Sequence, residues 1–231
     1  MENYRYIKEN LDELLAEITG YEEKFSRKID LVCVTKSGTD EELLALAAFG
    51  ASGIGENRPT ELARRGRLLE EAGFAPRLHQ IGHLQRNKVK YIIDSVGLIH
   101  SLDSLSLAEE INRLAGLRSK RARVLIEINS AKEEQKGGIF PECAEEFFLR
   151  VRKLPNIDVA GLMTMGPVCE GEEIRKYFRL TREIFDRLNT QYGFCGDAVL
   201  SMGMSDSYKI AIEEGASLVR VGRKLFNKRD N

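Results

Sequence analysis

Eight apolar, strand-like runs follow one another along the chain, and a helix-like stretch comes after each of them. The runs lie at 31–36, 52–57, 77–82, 96–100, 122–129, 157–163, 198–202 and 217–222. Strands that alternate with helices predict a parallel sheet, because each return to the same edge of a sheet needs a crossover. Eight such units at near-even spacing, with no Pro/Ser-rich linker, predict an α/β fold with a single (β/α)8 TIM barrel over 1–231.

An open, doubly wound sheet shares this alternation and is the structural alternative. No GxGxxG follows the first strand to support it. Helical periodicity over 4–18, with Gly20 as the stop signal, predicts an extra N-terminal helix. The helix after the eighth strand is short, and we expect the N-terminal helix to pack in the space it leaves.

Composition narrows the classes of function. The formal net charge is -1, so nothing indicates a basic nucleic-acid surface. The four cysteines are far apart and form no CxxC, which favours reduced thiols. The N-terminus lacks a signal-peptide core, and no apolar run approaches membrane-spanning length. We therefore expect a cytoplasmic protein with no nucleic-acid or membrane partner, and a monomer by default.

The first strand ends in Lys36, which follows an apolar, β-branched run and precedes a glycine at position 38. Alternation places Val32, Val34 and Lys36 on one face of the strand. If that face points into a closed barrel, Lys36 is its uppermost inward residue. An amine there could form a Schiff base. A lysine that simply extends to solvent at a strand end is the other interpretation.

Two glycine-containing segments follow the last two strands, where such barrels often bind phosphate. The segment 201–205 offers hydroxyls and backbone N–H groups, and the segment 220–223 carries Gly222. Arg220 shares a strand face with Gly222, and the eighth strand of a closed barrel adjoins the first. An inward Arg220 could pair with a carboxylate or donate to a ring nitrogen of a cofactor. A reactive amine, a phosphate cradle and a ring-nitrogen partner together describe a pyridoxal phosphate site.

The sequence also resembles a known family over nearly its whole length, in the family's order. The motifs that carry the resemblance are VTK at 34–36, GEN at 55–57, HQIGHLQRNK at 79–88, GLMTM at 161–165, LSMGMS at 200–205 and VRVG at 219–222. They are similar to motifs of the pyridoxal phosphate homeostasis proteins, also called the YggS/PROSC or PLP-binding-protein family. That family is related to the N-terminal barrel of alanine racemase.

The resemblance implies a protein that binds pyridoxal 5'-phosphate (PLP) as a Schiff base on Lys36. It implies that Ser201 and the backbone of Gly222 and Arg223 hold the phosphate. It further implies that Arg220 faces the pyridine nitrogen and that Asn57 lies near the ring. The implied role is PLP homeostasis, by storage or by delivery to PLP-dependent apo-enzymes, without robust turnover.

Two features depart from the family or leave alternatives open. Arg223 and Lys224 stand where the family usually has a small hydroxyl residue and alanine, which puts a hydroxyl contact to the phosphate in doubt. A PLP-dependent amino-acid racemase is the enzymatic alternative, although we expect no second domain after the eighth strand to supply its opposing base. A Schiff-base aldolase is a third reading. His79 and His83 are too far apart on a strand to suit one metal ion, so no metal site is predicted.

Overall fold

The computed structural model describes residues 2–169 and 171–228 and contains a closed barrel of eight parallel strands in chain order. The strands are β1 Asp30–Val34, β2 Gly53–Glu56, β3 Arg77–Gln80, β4 Leu98–Leu102, β5 Ala122–Glu127, β6 Ile157–Met163, β7 Val199–Ser201 and β8 Leu218–Val221. The ring closes where β8 pairs with β1, with Arg220 opposite Val32. The predicted (β/α)8 barrel is confirmed. The open sheet is excluded because β1 and β8, which would be separate from each other in an open sheet, pair directly here.

Helices cover the outside of the barrel. They are α1 Arg5–Phe25, α2 Asp40–Ala48, α3 Pro59–Glu71, α4 Val89–Ile92, α5 Leu105–Gly116, α6 Ala144–Val151, α7 Arg175–Tyr192, α8 Tyr208–Glu213 and α9 Arg223–Phe226. Local sequence explains several of their starts. Thr39 and Glu42 form a capping box at α2, and Pro59 is the first residue of α3, where a free N–H is not needed.

The extra N-terminal helix is confirmed, but its predicted stop at Gly20 is wrong. Helix α1 ends at Phe25, and the next residue, Ser26, has a left-handed φ of 48°. Gly20 is exposed within the helix, and helix propagation outweighs the modest cost of one glycine there. Asn10 of α1 donates hydrogen bonds to the carbonyls of Leu225 (3.1 Å) and Asn227 (3.0 Å). The N-terminal helix therefore packs against the short α9, as expected.

Other predicted boundaries shift for local reasons. The strand predicted to run through Lys36 ends at Val34, because a turn begins at Thr35. The helix predicted over 84–93 is a 3₁₀ turn, Arg86–Lys88, followed by the single turn of α4. The predicted domain 1–231 includes residues 1, 170 and 229–231, which lie outside the described residues.

The core has two layers. The larger lies between barrel and helices, and Cys33 belongs to it. The smaller fills the barrel interior and consists of Val32, Val34, Ile81, Leu98, Leu125, Ala160, Met163, Val199 and Leu218. The predicted alternation along the first strand is thus confirmed for Val32 and Val34. Buried polar residues share this interior, because His79 pairs in register with Leu98, Ser201 with Leu218 and Arg220 with Val32. The loops at the carboxyl ends of the strands, where such barrels carry their chemistry, lie directly above. Within the described chain, no helix combines the length and apolarity that crossing a membrane requires.

Candidate functional site

Lys36 lies in a turn at the carboxyl end of β1, at the mouth of the barrel. The Gly38 N–H donates to the Thr35 carbonyl at 2.9 Å, so Lys36 and Ser37 are the two central residues of a β-turn. The Lys36 side chain is exposed. The turn lies beyond the apolar interior positions that end with Val34, so Lys36 is exposed rather than enclosed among apolar neighbours.

A buried ionic network lies beneath this turn, on the outer side of β1 and β2. We call Thr35, Glu56 and Arg65 the ionic network. Thr35 Oγ1 donates to Glu56 Oε1 at 2.6 Å, and Arg65 Nη1 donates to the same oxygen at 2.5 Å. Arg65 is 7% exposed and Glu56 2% exposed. Each buried charge therefore has an opposite charge in direct contact.

Arg220 occupies the barrel interior on the other side of the β1–β8 seam. Its Nη1 donates to Ser201 Oγ at 2.5 Å, and its Nη2 donates to the Thr164 carbonyl at 3.0 Å. Burial lowers the pKa of Arg220 to about 10, while the more distant Glu127 carboxyl acts in the opposite direction. Among the described residues no carboxylate lies within ion-pair distance of this guanidinium. The guanidinium thus has only neutral acceptors.

Two buried histidines continue from Arg220 across the barrel. His100 Nδ1 lies 3.0 Å from Ser201 Oγ, and His100 Nε2 lies 2.9 Å from His79 Nδ1. We call His79, His100, Ser201 and Arg220 the histidine chain. Arginine can only donate, so Ser201 accepts from it and donates its own proton to His100 Nδ1. His100 then carries its proton on Nε2 and donates to His79.

Both histidines are held neutral. Burial lowers the pKa of His79 to about 3, with Arg77 and Arg123 acting in the same direction. Burial also places the pKa of His100 well below its ordinary value, and Arg220 adds to this effect. The histidine chain therefore carries a single positive charge, on Arg220.

The loops after β7 and β8 meet beside β1. The Gly222 N–H donates to Ser205 Oγ at 3.3 Å, and Gly203 accepts from the Arg220 N–H at 3.1 Å. Gly203 has a φ of 88°, and a Cβ on it would come within 2.6 Å of the Ala211 Cβ. A Cβ on Gly222 would lie 2.9 Å from the Val34 carbonyl oxygen. Only glycine fits at these two positions, Gly203 against α8 and Gly222 against the end of β1.

The predicted phosphate ligands are separated by this arrangement. Ser201 is fully buried, and its hydroxyl is engaged by Arg220 and His100. Ser205, four residues later, has its hydroxyl at the mouth beside the backbone of Gly222. The Arg223 guanidinium is exposed and pairs with Asp206 on the surface. The structure therefore brings together Ser205 and Gly222, and it assigns the Ser201 hydroxyl to the support of Arg220.

Asn57 follows β2 at the same end of the barrel and is half-buried. Its carbonyl accepts from Gln80 Nε2 at 2.9 Å, and Gly82 packs against its backbone. This contact fixes the Asn57 backbone at the mouth, between the ends of β2 and β3.

A cavity of about 460 Å³ opens on the β3, β5 and β6 side of the mouth. Glu127, at the end of β5, lines it, and among the described residues its carboxyl forms no hydrogen bond or ion pair. Burial raises the pKa of Glu127 to about 7, and Asp103 contributes in the same direction, while Arg220 and His83 oppose them.

His83 lies 3.2 Å from Asp103 at the exposed rim. His79 and His83 therefore have different neighbours, and no metal-type cluster occurs among the described residues.

Sequence reasoning did not assign a role to Arg65, Glu56, Glu127, Ser205 or His100. Strand parity could have found Glu127, which lies two positions after the inward-facing Leu125. Ser205 stood within the glycine-containing segment but was given no contact of its own. Arg65 gave no signal, because a helical arginine is ordinarily solvated.

The closed barrel with its lysine-bearing turn defines the class of protein. A sequence model of the alanine racemase N-terminal domain matches residues 9–229. An alanine racemase of Clostridium difficile superposes with a TM-score of 0.74 at 19% identity, over 100% of this chain and 57% of the racemase, which shows a shared fold. The chain is a barrel of this class.

Within that class the relatives are more specific. A protein of Aquifex aeolicus named pyridoxal phosphate homeostasis protein is 45% identical over 200 residues, 86% of either chain. A protein of the same name from Helicobacter pylori is 32% identical over 96% of this chain and 98% of the relative. PipY of Synechococcus elongatus, solved with PLP bound, has a TM-score of 0.83 at 27% identity over 96% of this chain and 100% of PipY. The chain belongs to the pyridoxal phosphate homeostasis protein family.

Proposed function

We propose that this protein binds PLP as a Schiff base on Lys36 and acts in intracellular PLP homeostasis, storing or delivering the cofactor without robust turnover. The observation that carries the proposal is the buried Arg220, which has no carboxylate within ion-pair distance among the described residues and pairs in register with Val32 of the strand that leads to Lys36. PipY, a relative at 27% identity, has been solved with PLP bound.

The residues present fit such a group. A buried guanidinium is costly unless an acceptor or anion compensates it, and here only a serine hydroxyl and a backbone carbonyl do so. The Gly222 N–H donates to the Ser205 hydroxyl where the loops after β7 and β8 meet, and a backbone N–H beside a hydroxyl is a chemistry suited to phosphate. The exposed Lys36 amine supplies a nucleophile at the same opening.

Each residue then has a task. Lys36 Nζ forms the covalent bond, while the Ser205 hydroxyl and the backbone of Gly222 and Arg223 hold the phosphate. Arg220 donates to the pyridine nitrogen, and Ser201 holds Arg220 in place. Asn57 borders the ring. PLP, when bound, supplies an aldehyde for the amine and a ring that can withdraw electrons.

Arg220 also argues for a carrier rather than a catalyst. Its guanidinium remains protonated even with a pKa near 10, so it can only donate to a ring nitrogen. A nitrogen that accepts this hydrogen bond stays unprotonated, and the ring withdraws electrons less strongly. We propose a cytoplasmic monomer that passes PLP to PLP-dependent apo-enzymes.

One observation favours the second candidate, a racemase-like enzyme. Glu127 on β5 stands across the barrel from β1, and its pKa near 7 suits proton transfer at neutral pH. Turnover of any amino acid by the loaded protein at about 1 per second or faster would favour this candidate over the carrier. A Schiff-base aldolase, by contrast, would show no visible absorbance as isolated.

The test is covalent mapping. The protein is loaded with PLP, its visible absorbance is recorded, and borohydride reduction is followed by peptide mass spectrometry. We expect the reduced adduct on Lys36 and loss of both absorbance and adduct in Lys36→Ala. Lys90→Ala, which removes an exposed lysine from the outside of the barrel, should behave as wild type. An adduct elsewhere, or unchanged absorbance in Lys36→Ala, would contradict the proposal.

A further inference from the structure

The turn that carries Lys36 is held at both ends by one side chain. Arg65 Nη1 donates to the Thr35 carbonyl at 2.6 Å, and Arg65 Nη2 donates to the Gly38 carbonyl at 2.6 Å. These are the first and last residues of the β-turn, and Lys36 and Ser37 stand between them. The backbone on either side of the lysine is therefore fixed to helix α3.

Arg65 is itself fixed. Its Nη1 is also bonded to the buried Glu56 carboxylate at 2.5 Å, and its Nε lies 3.3 Å from Asp40 Oδ1. Glu56 ends β2, so the guanidinium joins the barrel wall to the turn. A planar guanidinium can make these parallel bonds at once, whereas an ammonium group cannot reproduce the geometry.

The opposite side of the turn is also packed. A Cβ on Gly38 would lie 2.9 Å from the Phe226 ring of α9. The turn backbone is thus confined between Arg65 and Phe226, while the Lys36 side chain remains exposed.

We propose that Arg65, with Glu56, is a positioning residue that sets the direction of the Lys36 amine toward the cofactor. This inference rests on the proposed attachment of PLP to Lys36. Arg65 contacts the turn only through the backbone carbonyls of Thr35 and Gly38, so its role there is to hold and not to react. A misplacement of about 1 Å at a reacting atom can reduce reactivity by a large factor, which makes such a clamp consequential.

The chain offers a matched control one residue away. Arg64 pairs with Asp40 through two hydrogen bonds of 2.6 and 2.7 Å, but it is exposed and does not contact the turn. Arg64→Met removes a guanidinium from the same helix and the same carboxylate. Arg65→Met/Glu56→Gln removes the clamp without leaving an unpaired buried charge.

The first measurement compares PLP with pyridoxamine 5'-phosphate, which carries the same ring and phosphate but has no aldehyde for Lys36. In Arg65→Met/Glu56→Gln we expect the affinity for PLP to fall about tenfold and the affinity for the amine analogue to stay within about twofold. Arg64→Met should leave both affinities unchanged. An equal fall for both ligands, or no fall for either, would overturn the positioning role.

The second measurement needs no cofactor and no turnover. Hydrogen exchange should show the Gly38 amide protected in the wild-type apo-protein and in Arg64→Met, and exposed in the double variant. A Gly38 amide that exchanges freely in the wild type would contradict the clamp even if the double variant failed to fold. Equal affinity of the wild-type protein for the two ligands would contradict the attachment of PLP to Lys36, and the positioning role of Arg65 would then be wrong as well. The protection of the Gly38 amide would still show whether the turn is held.

Discussion

This barrel has two buried polar networks, one on the outer side of β1 and β2 and one in the interior, and their charges are compensated in opposite ways. The ionic network beneath Lys36 pairs Arg65 directly with Glu56. The histidine chain beneath Arg220 surrounds a guanidinium with neutral groups only. In the ionic network the two charges balance each other, so Arg65 can hold the backbone of the Lys36 turn. The histidine chain leaves a positive charge without a counterion, which is the condition expected where a ligand provides the missing acceptor.

The largest expected effect tests the claim that the ionic network is internally compensated. Arg65→Met leaves Glu56 buried with only Thr35 as a donor, so we expect a loss of about 3–5 kcal/mol in the free energy of unfolding. Arg65→Met/Glu56→Gln should recover much of that loss, because the stranded charge is gone. Urea denaturation at pH 7 measures both variants. Equal destabilisation in the two would show that the charges do not compensate each other.

The next effect concerns the neutrality of the histidine chain. The folded protein holds the pKa of His79 near 3 and that of His100 well below normal, whereas the unfolded chain binds protons near pH 6.5. The unfolded state therefore binds more protons on acidification, and stability present above pH 6.5 is lost as the pH falls. Between pH 6.5 and 5 we expect a loss of roughly 2 kcal/mol for each histidine.

Urea denaturation at pH 8, 6.5 and 5 gives this dependence. His79→Leu/His100→Leu should flatten it, whatever its effect on stability at pH 8. If the variant kept the wild-type slope, the histidines would not be the groups that take up protons, and the described chain of neutral imidazoles would be wrong.

The smallest expected effect tests whether the Glu127 carboxylate compensates the positive charge of Arg220 from a distance. Its pKa is raised to about 7 in the folded protein, above its value in the unfolded chain, so stability falls as the pH rises from about 4.5 to 7. Glu127→Gln removes this loss, and we expect a gain of about 2 kcal/mol over wild type at pH 8 and little difference at pH 4.5. Glu142→Gln, on the exposed surface, is the control.

A loss of stability in Glu127→Gln at pH 8 would mean that the carboxylate serves as the counterion of Arg220. The contrast between the two networks would then disappear, because both would be charge-compensated within the protein.

Much of the fold follows from short-range patterns. The order of strands and helices and the inward direction of Val32, Val34 and Arg220 were predicted correctly. Lys36 was predicted at the correct strand end but as part of the strand, whereas it lies in the β-turn that follows. Strand parity does not show where a turn will begin. Continuation of α1 past Gly20 could not be predicted from a local stop signal, because propagation of the helix outweighed the modest cost of one exposed glycine.

The site depended more on distant contacts. Ser201 and Ser205 both stand in one glycine-containing segment, and only the fold separates the hydroxyl that supports Arg220 from the one at the mouth. His100 meets Ser201 from 101 residues away, and Arg65 meets the turn of Lys36 from helix α3. The sequence by itself determined the barrel and the amine at its rim, because alternation and chain order are local properties. Tertiary structure alone decided which buried charge is paired and which is left open, because pairing depends on side chains that only the closed barrel brings together.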